Sequence, residues 1–309
     1  MLSKSLRILN FDSSLTEQAS LFRSYQAEII DLRNIAGQSR LWMNQKTREV
    51  VERRIGDSGK SAITLIGSGD YHHISQLLIS RFNQPISVIV FDFHPDWDIL
   101  PPRLGCGSWV TQSLKRKNIL KFMLMGVSSD DISTGSIQCG NLAALKDDRV
   151  EIYPYAHKPS LVFFREVPEN ISFRREKAIF YRKIHWSELK EKNFSHIFSS
   201  FLKRLPTKQV YVSIDKDCLR RQYALTNWEE GFMSLDELLS ALRLIKESMD
   251  IVGLDIVGDY SPVSVRGTFK AVLSRFDHPK NFTASKHQSS YVTALNEKTN
   301  LAIIELLCS

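Results

Sequence analysis

The sequence predicts an α/β fold in which a parallel sheet is covered by helices on both faces. Short runs of β-branched and other apolar residues alternate with amphipathic segments, which is the rhythm of strand, helix, strand units. Unusual polar residues follow the apolar runs directly, where the carboxyl ends of parallel strands bind ligands. No internal repeat, low-complexity tract or clear linker divides the chain, so we predict one domain over residues 1–309.

The individual elements follow from their composition. Short runs rich in Val, Ile and Leu are typical of buried parallel strands. The amphipathic segments between them have the apolar spacing of helices that cover a sheet. Predicted strands occupy residues 62–66, 87–91, 122–127, 210–214 and 251–257. Predicted helices occupy residues 74–82, 109–115 and 235–248, and a last apolar run covers 301–307.

One stretch, residues 157–186, breaks this rhythm with a basic and aromatic composition. We predict that it is an insertion packed beside the mouth of the site. Because Glu166, Glu169 and Glu176 interleave with its arginines, a solvated surface elaboration is the simpler interpretation. The alternative is a lid that carries cationic side chains toward an anionic group of a substrate.

Composition limits the class of partner. With 309 residues and 43% hydrophobic content, the chain can build a substantial core. The Lys and Arg residues behind its net charge of +7 are scattered, and no zinc finger, aromatic RNA motif or basic helix is present, so we predict no nucleic-acid partner. No apolar segment approaches about 18 uninterrupted residues, which predicts no membrane partner. Four cysteines without a CxxC pair favour a reducing compartment, so we expect a cytoplasmic protein with a small-molecule substrate and a possible homo-oligomeric state.

The chemistry is concentrated in the stretch VIVFDFHPDWDIL, residues 88–100. Asp92, His94, Asp96 and Asp98 occupy every second position, so their side chains converge on one face of an extended chain. Several ionised carboxylates near a core are costly unless a cation or hydrogen-bond donors compensate them. Carboxylates with an imidazole are good ligands for divalent metals. We assign Asp98 to a turn before the following prolines and leave it out of the ligand set.

A second carboxylate pair, Asp215 and Asp217, ends the apolar run of residues 210–214 in the motif SIDKD. Together with Asp92 and Asp96, these residues supply four negative charges, which match two divalent ions completed by neutral histidines. Two such ions activate water at neutral pH and stabilise the oxyanion that forms on attack, which indicates hydrolysis. Oxygen-rich ligation with some imidazole favours Mn(II), with Zn(II), Fe(II) or Co(II) as alternatives.

The order of these motifs resembles the ureohydrolase family, which includes arginase, agmatinase and formiminoglutamase. The loop and helix TNWEEGFMSLDEL, residues 226–238, also resembles the segment that follows the aspartate pair in that family. The resemblance covers residues 61–262. The matching motifs are GSGDYHH at 67–73, DFHPD at 92–96, SIDKD at 213–217 and GLDIV at 253–257.

The resemblance implies a three-layer αβα fold with a mostly parallel sheet of about eight strands. It also implies a binuclear manganese site in which Asp92 and Asp215 bridge the ions and take part in catalysis. The metal ligands carried over by position are His72, Asp92, His94, Asp96, Asp215 and Asp217.

The ligand from the first motif can be assigned to more than one residue. Strict alignment on Gly69 and Asp70 puts Tyr71 where the histidine belongs, whereas a shift of one residue supplies His72. We choose His72 as the ligand and keep His73 as the second choice.

Three departures from the family pattern bear on the substrate. The family's His-Gly pair, whose histidine assists proton transfer, is replaced here by Cys106 and the glycine after it. The glutamate that contacts the guanidinium is replaced by Gly258, with Asp259 beside it. The Asp-Pro pair that continues the aspartate motif is replaced by Arg220 and Arg221. We therefore expect the metal chemistry to be retained better than guanidinium recognition, and a substrate other than arginine or agmatine.

The sequence thus predicts a binuclear metal hydrolase that cleaves a C–N bond in a guanidino, formimino or related amide substrate, with a metal-bridging hydroxide as the nucleophile. Cys106 and Asp259 are candidate substrate contacts, and Asp259 or a water is expected to supply the proton that the family histidine gives. One alternative is a zinc-dependent amide deacetylase of the related fold, which holds a single ion. The other is a metal-binding pseudoenzyme that has lost its proton-transfer residues.

Overall fold

The computed structural model describes residues 5–56, 62–101, 103–190, 194–263, 270 and 286–309. Its strands in chain order are β1 (Leu6–Asn10), β2 (Ala27–Asp31), β3 (Trp42–Met43), β4 (Ile63–Gly67), β5 (Ile86–Phe91), β6 (Leu104–Gly105), β7 (Ile119–Met125), β8 (Val150–Tyr153), β9 (Ser160–Phe163), β10 (Phe173–Lys177), β11 (Tyr181–Trp186), β12 (Gln209–Asp215) and β13 (Asp250–Val257). Eight of them form one sheet in the order β2-β1-β4-β13-β12-β5-β7-β8, and every neighbouring pair is parallel. The predicted α/β fold is confirmed.

Helices flank this sheet. Those described are α1 (Ala19–Ser24), α2 (Ala36–Ser39), α3 (Gln45–Ile55), α4 (Ile74–Ile79), α5 (Trp109–Ser113), α6 (Leu142–Lys146), α7 (Phe194–Leu202), α8 (Leu235–Ser248) and α9 (Lys286–Cys308). Helix α4 packs against α5, and α8 contacts both α7 and α9. Within the described part of the chain, no helix is both long and apolar enough to cross a membrane.

The pleat of the central strands separates two hydrophobic clusters. On β5, Val88 and Val90 belong to one cluster, whereas Ile89 and Phe91 belong to the other. Successive side chains of a strand point to opposite faces, so both faces of the sheet are covered. All residues of β5 are buried, which explains why residues 88–91 are all apolar and show no polar alternation. The sheet and its two helical layers form the three-layer arrangement that the family resemblance implied.

Residues 157–186, predicted as an insertion, contain a separate antiparallel sheet in the order β10-β11-β9. The sheet lies against the turn Ser136–Cys139, where Gln138 Nε2 donates to the Leu161 carbonyl at 2.8 Å. Glu166 forms ion pairs with Arg182 and Arg175. The interleaved charges noted in the sequence therefore pair within this small sheet.

The chain ends add elements that the sequence analysis did not assign. Strands β1 and β2 extend the main sheet at one edge, although nothing specific was predicted for the first sixty residues. The apolar run 301–307 lies inside α9, where Ile303 and Ile304 are buried. Helix α9 also contacts α1, so the two ends of the chain meet.

Helix α8 begins with a capping box that offers a first test of the fold. Ser234 Oγ accepts from the Glu237 amide at 3.2 Å, and Glu237 Oε2 accepts from the Ser234 amide at 2.7 Å. We expect Ser234→Ala to lower the free energy of unfolding by about 1 kcal/mol, because the first helical turn loses an acceptor. Urea unfolding measures the change. Ser240→Ala, in the middle of the same helix, is the control and should be neutral or slightly stabilising because alanine favours helix.

Candidate metal centre

The candidate ligands lie at the carboxyl ends of three strands, β4, β12 and β5, of which β12 and β5 are neighbours and β13 separates β4 from β12. Asp92 follows β5, and Asp215 is the last residue of β12. His72 comes from the turn between β4 and α4. A parallel sheet directs these ends to one edge, so residues distant in sequence converge there, as the sequence analysis expected.

His72 lies at the centre of the first ligand group. Its Nδ1 atom is 3.0 Å from Asp92 Oδ2, 3.1 Å from Asp96 Oδ2 and 3.6 Å from Asp215 Oδ2. All four side chains are buried. Ligand atoms of His72, Asp92 and Asp96 lie within 4.8 Å of one another, a spacing that a single ion can span.

His94 lies at the centre of the second group. Its Nδ1 atom is 2.9 Å from Asp217 Oδ2 and 3.6 Å from Asp92 Oδ1. Asp92 therefore directs one carboxylate oxygen toward each histidine. Its position between the two groups is the one a bridging ligand needs, and Asp215 lies near the first group with its Oδ1 accepting from the Asp217 amide at 3.0 Å.

The backbone and one tryptophan hold these carboxylates in place. Asp92 Oδ1 accepts from the His94 amide at 2.7 Å, and Asp217 Oδ1 accepts from the Phe93 amide at 3.0 Å. Trp109 Nε1 donates to Asp96 Oδ2 at 2.7 Å. Asp96 has a φ of 48°, in the left-handed region that non-glycine residues rarely adopt. Such strain is held at functional sites where the surrounding contacts compensate for it.

The electrostatics of the site show excess negative charge. Burial, with the charges of Asp217 and Asp92, raises the pKa of Asp215 well above its ordinary value. Burial lowers the pKa of His72, but the carboxylates of Asp92 and Asp96 outweigh it and raise that pKa well above the ordinary value. Without a metal, this geometry therefore favours the protonated forms of His72 and Asp215. Divalent ions would compensate the same carboxylates with the histidines neutral.

Two buried polar atoms also fit a metal. Among the described residues, His72 Nδ1 and Asp92 Oδ2 are buried without a well-formed hydrogen bond, although they lie 3.0 Å apart. Buried polar atoms are nearly always satisfied, so such a pair points to a missing partner. Carboxylate oxygens with imidazole nitrogens are the donor set that Mn(II) and Zn(II) accept. The residues present therefore fit a binuclear divalent centre.

Tyr71, His72 and His73, the three residues considered for the ligand of the first motif, lie in different environments. Tyr71 stacks on Phe11 at 4.5 Å and lies outside both ligand groups. His73 is fully buried outside them as well, and burial together with the positive charge of Lys270 lowers its pKa to about 3. His72 is the histidine that reaches the carboxylates, as the shifted alignment had placed it.

A chain of buried hydrogen bonds orients His72. Its Nε2 atom is 2.9 Å from Ser213 Oγ, which donates to Asp255 Oδ1 at 2.7 Å. Asp255 also accepts from Tyr211 Oη at 2.6 Å and from Ser75 Oγ at 3.0 Å. Partners of this kind fix the ring orientation of a ligating histidine.

These hydrogen bonds allow a prediction for the removal of the Ser213 hydroxyl. We expect Ser213→Ala to weaken metal binding by about 10- to 100-fold, because His72 loses the group that fixes its ring. Titration of the metal-free protein with Mn²⁺ by calorimetry measures the affinity. Ser75→Ala is the matched control, since Ser75 Oγ donates to Asp255, whereas the link of Ser75 to His72 is a backbone hydrogen bond that the substitution keeps. Equal losses in the two variants would argue against a specific role for Ser213.

A cavity of 410 Å³ opens onto the ligands, and its outer wall contains residues that the sequence analysis did not select. They are aromatic (Trp42, Trp228), acidic (Asp98, Asp131) and basic (Arg103). The Arg103 guanidinium lies 3.7 Å from the centre of the Trp42 ring. Asp98, assigned earlier to a turn, lies on this wall, where burial and the charge of Asp131 raise its pKa to about 7. Apart from Asp98 and from Trp228, which lies in the segment 226–238, these residues stand in no motif that a single sequence could reveal.

A second missed residue is Glu229, whose Oε2 atom lies 3.2 Å from His94 Nε2. It holds the side of the imidazole that faces away from Asp217. Its only signal in the sequence was its place in the segment TNWEEGFMSLDEL, which resembled a family loop.

The two candidate substrate contacts lie in different environments. Cys106 is on the cavity wall, as predicted. Asp259 is not among the residues that line the cavity, and it is buried in an ion pair with Lys216 Nζ at 3.0 Å. It also accepts from Gln18 Nε2 at 2.6 Å and from Asn300 Nδ2 at 3.3 Å. Lys216 is fully buried and needs a counter-charge, so this geometry places the Asp259 carboxylate in a buried ion pair and apart from the residues that line the cavity.

Known sequences resemble this chain over most of its length. A sequence model of the Arginase family matches residues 4–271. An uncharacterized protein of Thermotoga maritima is 26% identical over 264 residues, which is 85% of this chain and 83% of that protein.

Solved structures share the fold. Arginase of Entamoeba histolytica, in complex with L-ornithine, has a TM-score of 0.61 at 12% identity and is covered over 99% of its length by 100% of this chain. Formimidoylglutamase of Bacillus subtilis has a TM-score of 0.56 at 12% identity, with 98% of this chain and 86% of that chain covered. Formiminoglutamase of Trypanosoma cruzi with Mn²⁺ has a TM-score of 0.54 at 12% identity, with 99% and 94% covered. The likeness to these structures concerns the fold, whereas the sequence match spans most of the chain, and on that match the chain belongs to the arginase family.

Proposed function

We propose that this chain is a binuclear metal hydrolase that cleaves a C–N bond in a formimino, guanidino or related amide substrate. The observation that carries the proposal is the shared position of Asp92, which directs one oxygen to His72 and the other to His94. A carboxylate between two ligand groups is the arrangement that a pair of ions shares. The proposal is supported by the family membership and by the Mn²⁺ in one formiminoglutamase of the same fold.

The ligand roles follow from the two groups. His72 and Asp96 would hold one ion, His94 and Asp217 the other, and Asp92 and Asp215 would bridge them. When bound, two divalent ions supply Lewis acidity and lower the pKa of water, so that hydrolysis runs at neutral pH. Mn(II) suits this donor set best, and Zn(II), Fe(II) and Co(II) compete for it.

The chain's own residues position the substrate. Hydrolysis adds the oxygen of water to the planar carbon, breaks the C–N bond and places a proton on the leaving nitrogen. Asp259 cannot deliver that proton, because its carboxylate is committed to Lys216, Gln18 and Asn300 outside the cavity. Cys106 is on the cavity wall at the position of the family's proton-transfer histidine, so we assign it a contact with the substrate.

Recognition of the substrate differs from that of a guanidinium enzyme. A Cβ atom at Gly258 would lie 2.5 Å from Asp215 Oδ1 and 2.7 Å from the Lys216 amide nitrogen. No side chain fits there, so the carboxylate that contacts the guanidinium in the family has no equivalent at this position. This supports a substrate other than arginine or agmatine.

The test joins metal content with turnover. We expect the protein reconstituted with Mn²⁺ to hold two ions per chain by mass spectrometry, and to release ammonia or urea from at least one compound in a panel of formimino, amidino and guanidino substrates. Asp215→Asn should lose both properties. Asp250→Asn, an exposed carboxylate at the start of β13, should keep both.

The other outcomes select the alternatives. One ion per chain with release of acetate from acetylated amines would favour a zinc-dependent deacetylase. Two ions with no turnover of any compound would favour a metal-binding pseudoenzyme, which the replacements at Cys106 and Gly258 make the stronger of the two alternatives.

A further inference from the structure

The small sheet formed by β9, β10 and β11 carries an exposed apolar tip. Phe163, Phe164, Ile179 and Phe180 lie at one end of it and are 38%, 85%, 88% and 65% exposed. Strand pairing brings them together, because Phe163 is paired with Tyr181 and the Phe164 amide donates to the Phe180 carbonyl at 3.2 Å. The Phe164 ring centre lies 6.5 Å from each of the Phe163 and Phe180 ring centres. We call these four residues the apolar tip.

The residue types at the apolar tip do not favour the local backbone conformation, so the stability of the fold does not explain them. The Ala178 amide donates to the Tyr181 carbonyl at 3.1 Å, which closes a hairpin whose two central residues are Ile179 and Phe180. Hairpin turns of this length favour Gly, Asn and Asp. Phe164 has a φ of 53°, a conformation strained for a bulky side chain, and it is largely solvent-exposed and so gains little packing in return. Strain held at an exposed apolar residue points to a binding role.

Positive charge surrounds the apolar tip. The segment 157–186 contains seven Lys or Arg residues and three Glu residues, so this tenth of the chain holds +4 of its net charge of +7. Arg165 and Lys177 lie next to the tip residues and are exposed. The positive charge that the sequence analysis took as scattered is therefore concentrated here.

We propose that the apolar tip inserts into the surface of an anionic lipid bilayer, with the surrounding Lys and Arg residues against acidic headgroups. The occupant has to be negatively charged, because a second copy of this chain would bring the same basic surface against itself across a two-fold axis. Phe163 is the last residue of the edge strand β9, the other three apolar residues lie beyond the strand ends, and none of the four lines the 410 Å³ cavity. A peptide would use an edge or a groove, whereas a protruding apolar end with basic flanks suits the bilayer interface.

This attachment is peripheral. It revises the sequence-based expectation of no membrane partner, and it agrees with the finding that no described helix could cross a membrane. The apolar tip contains no candidate metal ligand, so the proposal is independent of the proposed hydrolysis.

Vesicle flotation tests the proposal. We expect the full chain to float with vesicles containing roughly one-third phosphatidylglycerol, to stay behind with pure phosphatidylcholine, and to lose binding as salt rises. Phe164→Asn with Phe180→Ser should weaken binding by about tenfold or more, since each buried Phe side chain contributes strongly to partitioning. The same double variant should be at least as stable to urea, because asparagine tolerates the left-handed conformation. Lys177→Glu should also weaken binding.

Ile171→Ser is the matched control, because Ile171 is 52% exposed at the opposite end of the same small sheet. It should bind vesicles as the wild type does. Failure of the wild type to float with anionic vesicles, or unchanged binding by the double variant, would overturn the proposal. Binding to poly-glutamate without binding to vesicles would assign the surface to an acidic protein partner. A dimer that the double variant dissociates, seen by sedimentation velocity, would assign it to a second copy.

Discussion

Removal of metal should lower the melting temperature of this protein by several degrees, and Mn²⁺ should restore it. At a free concentration a thousandfold above Kd, a ligand that binds only the folded state stabilises it by about 4 kcal/mol. For a chain of this size we expect a shift of about 8 °C, at about 2 °C per kcal/mol. Differential scanning fluorimetry of EDTA-treated protein with and without Mn²⁺ measures it.

The Asp215→Asn variant makes this result specific to the site. In the metal-free protein, burial and the charges of Asp217 and Asp92 raise the pKa of the Asp215 carboxyl well above its ordinary value, which favours the protonated form. Asparagine resembles that protonated carboxyl, so the metal-free variant should melt close to the wild type. It should then show little or no response to Mn²⁺, whereas Asp250→Asn should respond fully. A variant that keeps the full Mn²⁺ shift would show that Asp215 is not a ligand.

Gly258→Ala should cost about 3 kcal/mol or more of unfolding free energy. Gly258 has a φ of 90°, and an added Cβ would meet Asp215 Oδ1 at 2.5 Å and the Lys216 amide nitrogen at 2.7 Å. The backbone atom cannot move aside without displacing β12 and its aspartate. We therefore expect the metal affinity to fall together with the stability, as measured by urea unfolding and Mn²⁺ titration.

A control variant, Gly56→Ala, introduces backbone strain without the steric crowding that is expected at Gly258. Gly56 follows α3 with a φ of 59°, and an added Cβ would meet nothing within 4 Å. This variant should lose less, about 1–3 kcal/mol, the cost of backbone strain alone, because a φ of 59° with a ψ of −171° is a conformation that glycine adopts almost exclusively. Similar losses in the two variants would contradict the close approach of Gly258 to the ligand strand. Gly258→Glu, which restores the family residue, should fail in the same way as Gly258→Ala.

The central sheet was predictable from the sequence because each buried parallel strand is a separate apolar run that ends in polar residues. Strand β5 illustrates this, since it is buried on both faces and five of its six residues are large and apolar, Ser87 being the exception. The ends of such strands meet at one edge, so Asp92 and Asp215 could be placed together without any structure. The edge strands β1 and β2 were not predicted. Strand β2 is only partly buried, which leaves its composition close to that of a loop.

The histidine of the first motif shows how far the spacing of a motif can locate a ligand. A spacing rule places a ligand only if the turn that carries it has fixed geometry. Here the three-residue turn Gly69–Tyr71 rotates the chain so that Tyr71 packs on Phe11 and the next residue, His72, faces the carboxylates. Alignment alone left both positions open, and the turn geometry decides between them.

The buried environment of Asp259 could not be anticipated, because Gln18 and Asn300, two of its partners, are far away in the sequence. A carboxylate beside a family motif is a reasonable catalytic candidate when only its neighbours are known. Its counter-charge, Lys216, stands between two predicted ligands and gave no sign that it turns away from them into the core. Pairwise contacts across the fold decide such roles, and a single sequence does not contain them.

The contacts of Asp259 also set the order in which the protein can mature. Gln18 is 241 residues from Asp259 and 282 residues from Asn300 in sequence, yet all three side chains meet beneath the candidate centre. Contacts of such long range form late, after the ribosome has released the segment that carries them. A nascent chain that stops before α9 lacks Asn300 and leaves Lys216 and Asp259 without one of their supports. Metal uptake is therefore expected to follow synthesis of the last helix.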